Sequence, residues 1–275
     1  MTLITVLGSS GFIGSHLVKH VEQLGLECFA PARGADLAGR KLGHVIYAIG
    51  LTADFRTRPF DTVEAHVGKL IDILKTCEFE SLVYLSSTRL YKHSHVGASN
   101  EDAMLGVYPT NPEDIFNLSK AMGENLLLSS NRPGVRAVRL SNVYGNDFSS
   151  ENFLTSIIND AITDKQVTLR TTMDSAKDYI SIVDVVDVLI KISLRGQSAI
   201  YNLAAGVNFS NSELMTALSN ATGCQVAVSP QAERIVFPPI DITRVKDEFG
   251  FTPSANVLID MPMLVESFRA IKRAV

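Results

Sequence analysis

Three glycines, Gly8, Gly11 and Gly14, fall at i, i+3 and i+6 directly after the apolar, β-branched run of residues 3–7. Phe12, Ile13, Leu17, Val18 and Val21 continue at helical spacing. Strand, glycine-rich turn and helix in that order suit a pyrophosphate. The turn lets backbone approach it closely, and the helix turns the positive end of its dipole toward it. A glycine triplet alone is also what a tight βα turn needs; the strand before and the helix after are what point to a nucleotide. The end of the next strand, read at residues 26–30, should select the cofactor. An acid about 20 residues past the turn would hold the 2′-hydroxyl of NAD, and a nearby arginine would accommodate the 2′-phosphate of NADP. The acid position falls on Ala32, Arg33 follows, and Asp36 comes late enough to line the adenine instead. NADP(H) is therefore the expected cofactor, with NAD(H) as the alternative.

These groups need a scaffold, and the chain alternates strand and helix to build one. Residues 34–43 are too few for a full crossover helix, so the next connection is trimmed. Residues 44–50 read as a strand ending in small residues. Asp61, with Glu64 three residues on, reads as a helix cap, and Val63, Val67, Leu70, Ile71 and Leu74 form the apolar stripe behind it. Residues 81–87 form a strand that ends in hydroxyls. Asn111 and Pro112 open the following helix, and 135–140 is the strand after it. The expected fold class is α/β, a Rossmann-type doubly wound parallel sheet. Ligands would then gather where Gly8, Gly50 and Ser87 converge beyond the strand ends. After residue 146 the pattern loosens into a helix at 151–163, a strand at 166–170 and a helix at 183–194. A capping box at Ser210–Glu213 opens a further helix, and a proline-rich connection at 237–239 precedes two more helical stretches. The organisation expected is a dinucleotide domain at 1–145, with parts of 175–205, and a small mixed α/β substrate lobe at 146–275, interleaved with it.

Composition narrows the class. With 275 residues, 46% hydrophobic and 20% charged, the chain can bury a real core. A net charge of −4 without a Lys/Arg cluster speaks against nucleic acid. Cys28, Cys77 and Cys224 are odd in number and widely spaced, as in a reducing compartment. No signal pattern or membrane-length segment is read, so a cytoplasmic protein without a membrane partner is expected. No metal site is expected.

Several stretches then line up in order along the chain: residues 8–17, 83–91, 118–124, 139–145, 177–185, 201–203, 241–244 and 249–253. In these the chain resembles the extended short-chain dehydrogenase/reductases of the NAD-dependent epimerase/dehydratase, nucleotide-sugar-modifying family. The resemblance implies a Ser or Thr, a Tyr, and a Lys one helical turn after the Tyr. Counting back from Tyr91 puts the first role on Ser87, whose hydroxyl would bond the substrate oxygen that changes charge. Lys120 takes the lysine role, holding the nicotinamide ribose and lowering the pKa of a neighbouring phenol. By the same likeness the cofactor would lie against Gly8, Ser10, Gly11, Phe12, Ile13 and Gly14; Arg33, Asp36 and Leu37; Ala48, Ile49 and Gly50; Lys120; and Leu140, Asn142 and Val143. Substrate would meet Thr52, Ser87, Thr88 and Asn142, with Lys177 and Arg234 as further candidates for which a solvated surface role competes. A homodimer through the helices at 62–76 and 112–129 is implied as well.

One position departs from the family: the tyrosine should stand at 116, and the chain has Phe116. A phenyl ring keeps the shape but has no proton to exchange, which removes assistance worth about 10²–10⁴-fold. Phe116 is either native, with Tyr91, His93 or His95 as another proton donor or with activity lost, or an engineered Tyr→Phe change. The intact surroundings favour the second. His66 stands where the family often has Asn and reads as a packed, hydrogen-bonded histidine. Related dehydratases place Asp-Glu after the catalytic Thr, and Thr88-Arg89 here disfavours elimination. The expected activity is NADP(H)-dependent reduction of a nucleotide-linked 4-keto sugar. A 4-epimerase is the alternative, and a non-catalytic NADP-binding regulator is a third reading.

Overall fold

The computed structural model describes residues 2–94, 99–146, 148 and 152–274. β1 (Leu3–Leu7) leads through the glycine turn into α1 (Phe12–Gln23) and β2 (Glu27–Phe29). No helix intervenes before β3 (His44–Tyr47), so the trimmed connection is as expected. α2 (Pro59–Val63) runs through a π-helical turn at Glu64–Gly68 into α3 (Lys69–Thr76), and β4 (Ser81–Ser87) follows. Next come α4 (Ile115–Ser129), β5 (Val135–Leu140), β6 (Asn142–Tyr144), α5 (Phe153–Thr163), β7 (Gln166–Thr171) and β8 (Ala176–Ser181). α6 (Ile182–Arg195), β9 (Ile200–Leu203), β10 (Asn208–Ser210), α7 (Asn211–Thr222), β11 (Gln225–Glu233), α8 (Thr243–Phe249) and α9 (Val257–Ala274) complete the chain.

The main sheet has six parallel strands in the order β2-β1-β3-β4-β5-β9. Its strands read as near-continuous apolar runs because both faces are covered. Alternate residues serve opposite cores: Val83 and Leu85 pack with Leu17, Val21 and Val185, while Leu82 and Tyr84 pack with Leu70, Ile73 and Leu127. Strand order reverses on either side of β1, so the crevice opens beyond the C-terminal ends of β1 and β3, as in other doubly wound sheets. The expected fold class is the one observed.

A second core joins Leu154, Ile158, Val167, Tyr179, Leu214 and Met261 from the later elements. It carries two small sheets, β10-β8-β6 and β11-β7. β6, β8, β9, β10 and β11 are not legible in the sequence; four of them have six residues or fewer, and β11 is mostly open to solvent. The capping box at Ser210 and Glu213 forms as read, and Asn111 Oδ1 accepts from the Glu113 N–H at 3.0 Å ahead of α4.

Two expectations about the helix at 59–76 fail. Asp61 is not its cap: Pro59 opens the helix, and Asp61 lies in its first turn, where it accepts from Arg58 Nε at 2.8 Å. Val63 is not in the buried stripe, being 36% exposed. The π turn holds an extra residue, which rotates the face that points inward and buries Ala65, His66 and Val67 together. Strand β3 also stops at Tyr47, which frees residues 48–50 to enter the crevice. The three cysteines are free thiols, and no helix among the described residues is long and apolar enough to cross a membrane.

Candidate active site

The glycine turn admits no side chain at its two key positions. Gly8 has φ +87°, and a Cβ there would sit 2.8 Å from the Ala48 carbonyl carbon; one on Gly14 would lie 2.1 Å from the Gly8 oxygen. α1 can therefore start hard against the turn, and no side chain caps its first N–H groups. A helix N-terminus left open over a bare backbone cradle fits the phosphates of a dinucleotide. Ser10, Phe12 and Ile13 lie on this turn and on the first turn of α1.

Lys120 stands one turn after Phe116 on α4, so both side chains leave the same face. Its ammonium is buried, donates to the Leu85 carbonyl at 2.7 Å, and lies 4.8 Å from the centre of the Tyr84 ring. Burial lowers its pKa to about 7. Glu124, one turn on along the same helix, partly offsets that cost but is itself held by Arg139 in a buried pair at 2.7 Å. An ammonium in no direct ion pair among the described residues and with two spare donors suits the hydroxyls of a ribose.

Ser87 ends β4 beside Leu140, the last residue of β5. Its Oγ accepts from the Arg89 N–H at 3.1 Å, which leaves the hydroxyl proton for an oxygen in the crevice. Phe116 is 4% exposed and fits among Phe55 at 5.4 Å, the edge of His66 at 5.3 Å and the Arg89 guanidinium at 5.9 Å.

His66 lies behind them, fully buried in the π turn. Its Nε2 accepts from the Leu51 N–H at 3.4 Å, and its Nδ1 meets Ser119 Oγ at 2.8 Å. The Ser119 hydroxyl donates to the Phe116 carbonyl at 3.0 Å. That assigns the imidazole proton to Nδ1. The ring is held neutral, its pKa pushed down to about 2 by burial and by the Lys120 charge. Hence His66 is packed and positioned as expected.

A family model described as the NAD dependent epimerase/dehydratase family matches residues 4–204. The chain belongs to this family. A curated dTDP-glucose 4,6-dehydratase from Streptomyces griseus is 26% identical over 68% of this chain and 58% of its own length. A UDP-glucose 4-epimerase from Streptococcus mutans is 24% identical over 91% of each chain. The fold matches MoeE5 in complex with UDP-glucose and NAD, with TM-score 0.83 and 20% identity over 98% of this chain and 99% of that one. It also matches RMD from Pseudomonas aeruginosa complexed with NADPH, with TM-score 0.79 and 18% identity over 98% of this chain and 100% of that one.

Seen as a family member, the chain brings together Gly8, Gly11, Gly14, Ala48, Ile49, Gly50, Ser87, Thr88, Phe116 and Lys120 at the strand ends. Gly50 ties the set: a Cβ on it would lie 3.3 Å from His66 Nε2 and 3.6 Å from Lys120 Nζ. Asn142, exposed on β6, donates to the Asp178 carbonyl at 2.8 Å and follows Leu140 out of the main sheet, with Val143 beside it. Lys177, on β8, sets its ammonium 4.9 Å from the centre of the Phe153 ring, and burial with the Arg89 charge lowers its pKa. Arg33 and Asp36 are exposed in the connection after β2, where Asp36 accepts from the Ala38 N–H at 3.0 Å and Leu37 is partly buried. Thr52 is exposed just past Gly50.

Other candidates lie apart from this set. Arg234 is 65% exposed and paired with Asp174 at 2.5 Å. Tyr91 is sealed in the core, its hydroxyl donating to Asn202 Oδ1 and accepting from Arg139, each at 2.8 Å, so it cannot replace the missing phenol. The His93 Nε2 is engaged by Asp114 at 3.0 Å, and His95 lies outside the described residues. Sequence reasoning passed over Arg89 and Phe55 as site residues. The signal for Arg89 was present, since a cation follows Ser87 by two positions; nothing local marks Phe55.

Proposed function

We propose that this chain catalyses NADP(H)-dependent reduction of a nucleotide-linked 4-keto sugar. The observation that carries the reading is the buried Lys120 ammonium, in no direct ion pair among the described residues and one turn from residue 116, facing the same strand ends as Ser87 and the glycine turn. A buried cation without a partner is costly and concentrates at functional sites. A bound nicotinamide would supply a hydride to the carbonyl carbon. Ser87 then stabilises the oxygen as it gains charge, and a proton completes the alcohol. Of the groups around residue 116, His66 stays neutral down to about pH 2 and Tyr91 is sealed away. Lys120, with a pKa of about 7, is left to carry that proton. The test is consumption of NADPH with a panel of UDP- and dTDP-linked 4-keto sugars, by the wild type and by the position-116 variant discussed below.

Arg33 supports NADP(H) over NAD(H): it is exposed past the end of β2, where the chain offers alanines and a proline in place of an acid. Arg33→Ala is expected to weaken NADPH binding about tenfold or more while changing NADH binding little, as titration calorimetry would record. Equal losses for both cofactors would remove the basis for the preference. The 4-epimerase reading keeps support from the relative that aligns over 91% of both chains. Interconversion of two nucleotide hexoses with no net change in cofactor would favour it.

A homodimer is proposed through α2, α3 and α4. Phe60 is 89% and Val63 36% exposed on α2, and Met122 55% on α4. Light scattering should return twice the 29.9 kDa chain mass; a single-chain mass would refute it.

A further inference from the structure

Arg89 begins two residues past Ser87 and reaches the wall of the crevice formed by residue 116. Its guanidinium lies 5.2 Å from the Phe55 ring centre and 5.9 Å from that of Phe116. One Nη donates to Glu113 at 3.2 Å, whereas Nε is buried and has no partner among the described residues. Glu113 is already shared, since Arg56 Nη2 also donates to it at 2.6 Å. From the second lobe Lys177 brings its ammonium over the Phe153 ring at 4.9 Å, in no ion pair among the described residues. Burial and the Arg89 charge both lower its pKa. Arg56 and Arg89 thus share the Glu113 carboxylate, while Lys177 has no anionic partner among the described residues. Buried like charges and an orphaned donor are unfavourable until an anion lies between them.

We infer that the sugar accepted by this site carries a carboxylate, with Arg89 as its specificity determinant and Lys177 supporting it from the other lobe. The inference rests on the nucleotide-sugar reading above and narrows it to a nucleotide-linked uronic acid class. The Arg89 Nε–Nη2 fork matches the two oxygens of a carboxylate, which would take Nη2 from Glu113 and satisfy the orphaned Nε. Its place against the ring of residue 116, where the sugar reacts, assigns the anion to the sugar. The glycine turn, beyond β1, serves the phosphates of the cofactor instead.

The experiment is titration calorimetry of the NADP⁺-saturated protein with UDP-glucuronic acid, UDP-glucose and UDP, and with the dTDP counterparts. The wild type should bind a glucuronate about tenfold or more tightly than the matching glucose. Arg89→Gln should bring that ratio near one while leaving the glucose and free-diphosphate affinities within about threefold; Lys177→Gln should reduce the ratio in part. A wild-type ratio at or below one, or a ratio that survives Arg89→Gln, overturns the inference while the nucleotide-sugar reading stands. Equal losses for UDP and the glucuronate would assign the cations to the diphosphate, which also overturns it. Failure of every nucleotide sugar to bind would sink both readings. Unchanged glucose affinity in Arg89→Gln reports that the variant is folded.

Discussion

Phe116→Tyr is expected to raise kcat for NADPH-dependent reduction of a nucleotide-linked 4-keto sugar by about 10²- to 10⁴-fold. The phenol would emerge on the helix face that carries Lys120 one turn later. The phenolate form of such a group is stabilised by the adjacent ammonium, so its proton becomes exchangeable near neutral pH. The ring already sits among Phe55, His66 and Arg89, and the change adds only one oxygen. Both origins of Phe116, native or engineered, lead to the same expectation. Steady-state kinetics with the UDP- and dTDP-linked panel provide the check. A folded, NADPH-binding Phe116→Tyr protein with no gain on any substrate would favour the regulator reading.

Lys120→Met carries the second large effect, and it should move activity and stability in opposite directions. In the Phe116→Tyr background the substitution is expected to lower kcat by about 10²–10⁴-fold, since it removes both the charge beside the phenol and the donors for the ribose. Stability should rise. Lowering the lysine pKa from 10.5 to about 7 amounts to roughly 5 kcal/mol of charge burial. The variant gives back about 1–3 kcal/mol because the Leu85 carbonyl loses its donor. The net gain is about 2–4 kcal/mol below pH 7, a rise in Tm of roughly 5–10 °C.

The pH dependence gives a sharper reading. Below about pH 7 the lysine is charged in both folded and unfolded chains, so the whole cost of burying it is present. Between about 7 and 10.5 the unfolded chain holds a proton that the folded chain has released. Wild-type stability from this group therefore increases with pH across that window. The advantage of Lys120→Met should shrink from pH 7 toward pH 10 and be full below 7. Denaturant unfolding of both proteins without added dinucleotide, at several pH values, would show it. A constant or widening gap would mean that Lys120 is not held near pH 7.

Much of this protein could be read from local order alone. Gly8 and Gly14 announced their turn by spacing: Gly14 must lie against the Gly8 carbonyl six residues back, and Gly8 has φ +87°, a conformation that favours glycine. The core strands were legible because burial on both faces makes them continuously apolar, and β4 and β5 have the bounds that were read. Ser87, Phe116 and Lys120 were named from spacing and resemblance. What the linear order did not hold were matters settled between distant segments. The π turn at Glu64–Gly68 rotates the inward face so that His66 is buried and Val63 is not; a 3.6-residue pattern cannot anticipate an inserted residue. Tyr91, close in sequence to Ser87, turns away into the core because Asn202 and Arg139 arrive to take its hydroxyl. The Arg89 guanidinium meets Glu113, 24 positions later, and the Phe55 ring, 34 positions earlier, only in the folded chain. Charge and burial at such a place are sums over groups far apart along the chain, so only the packed molecule defines them.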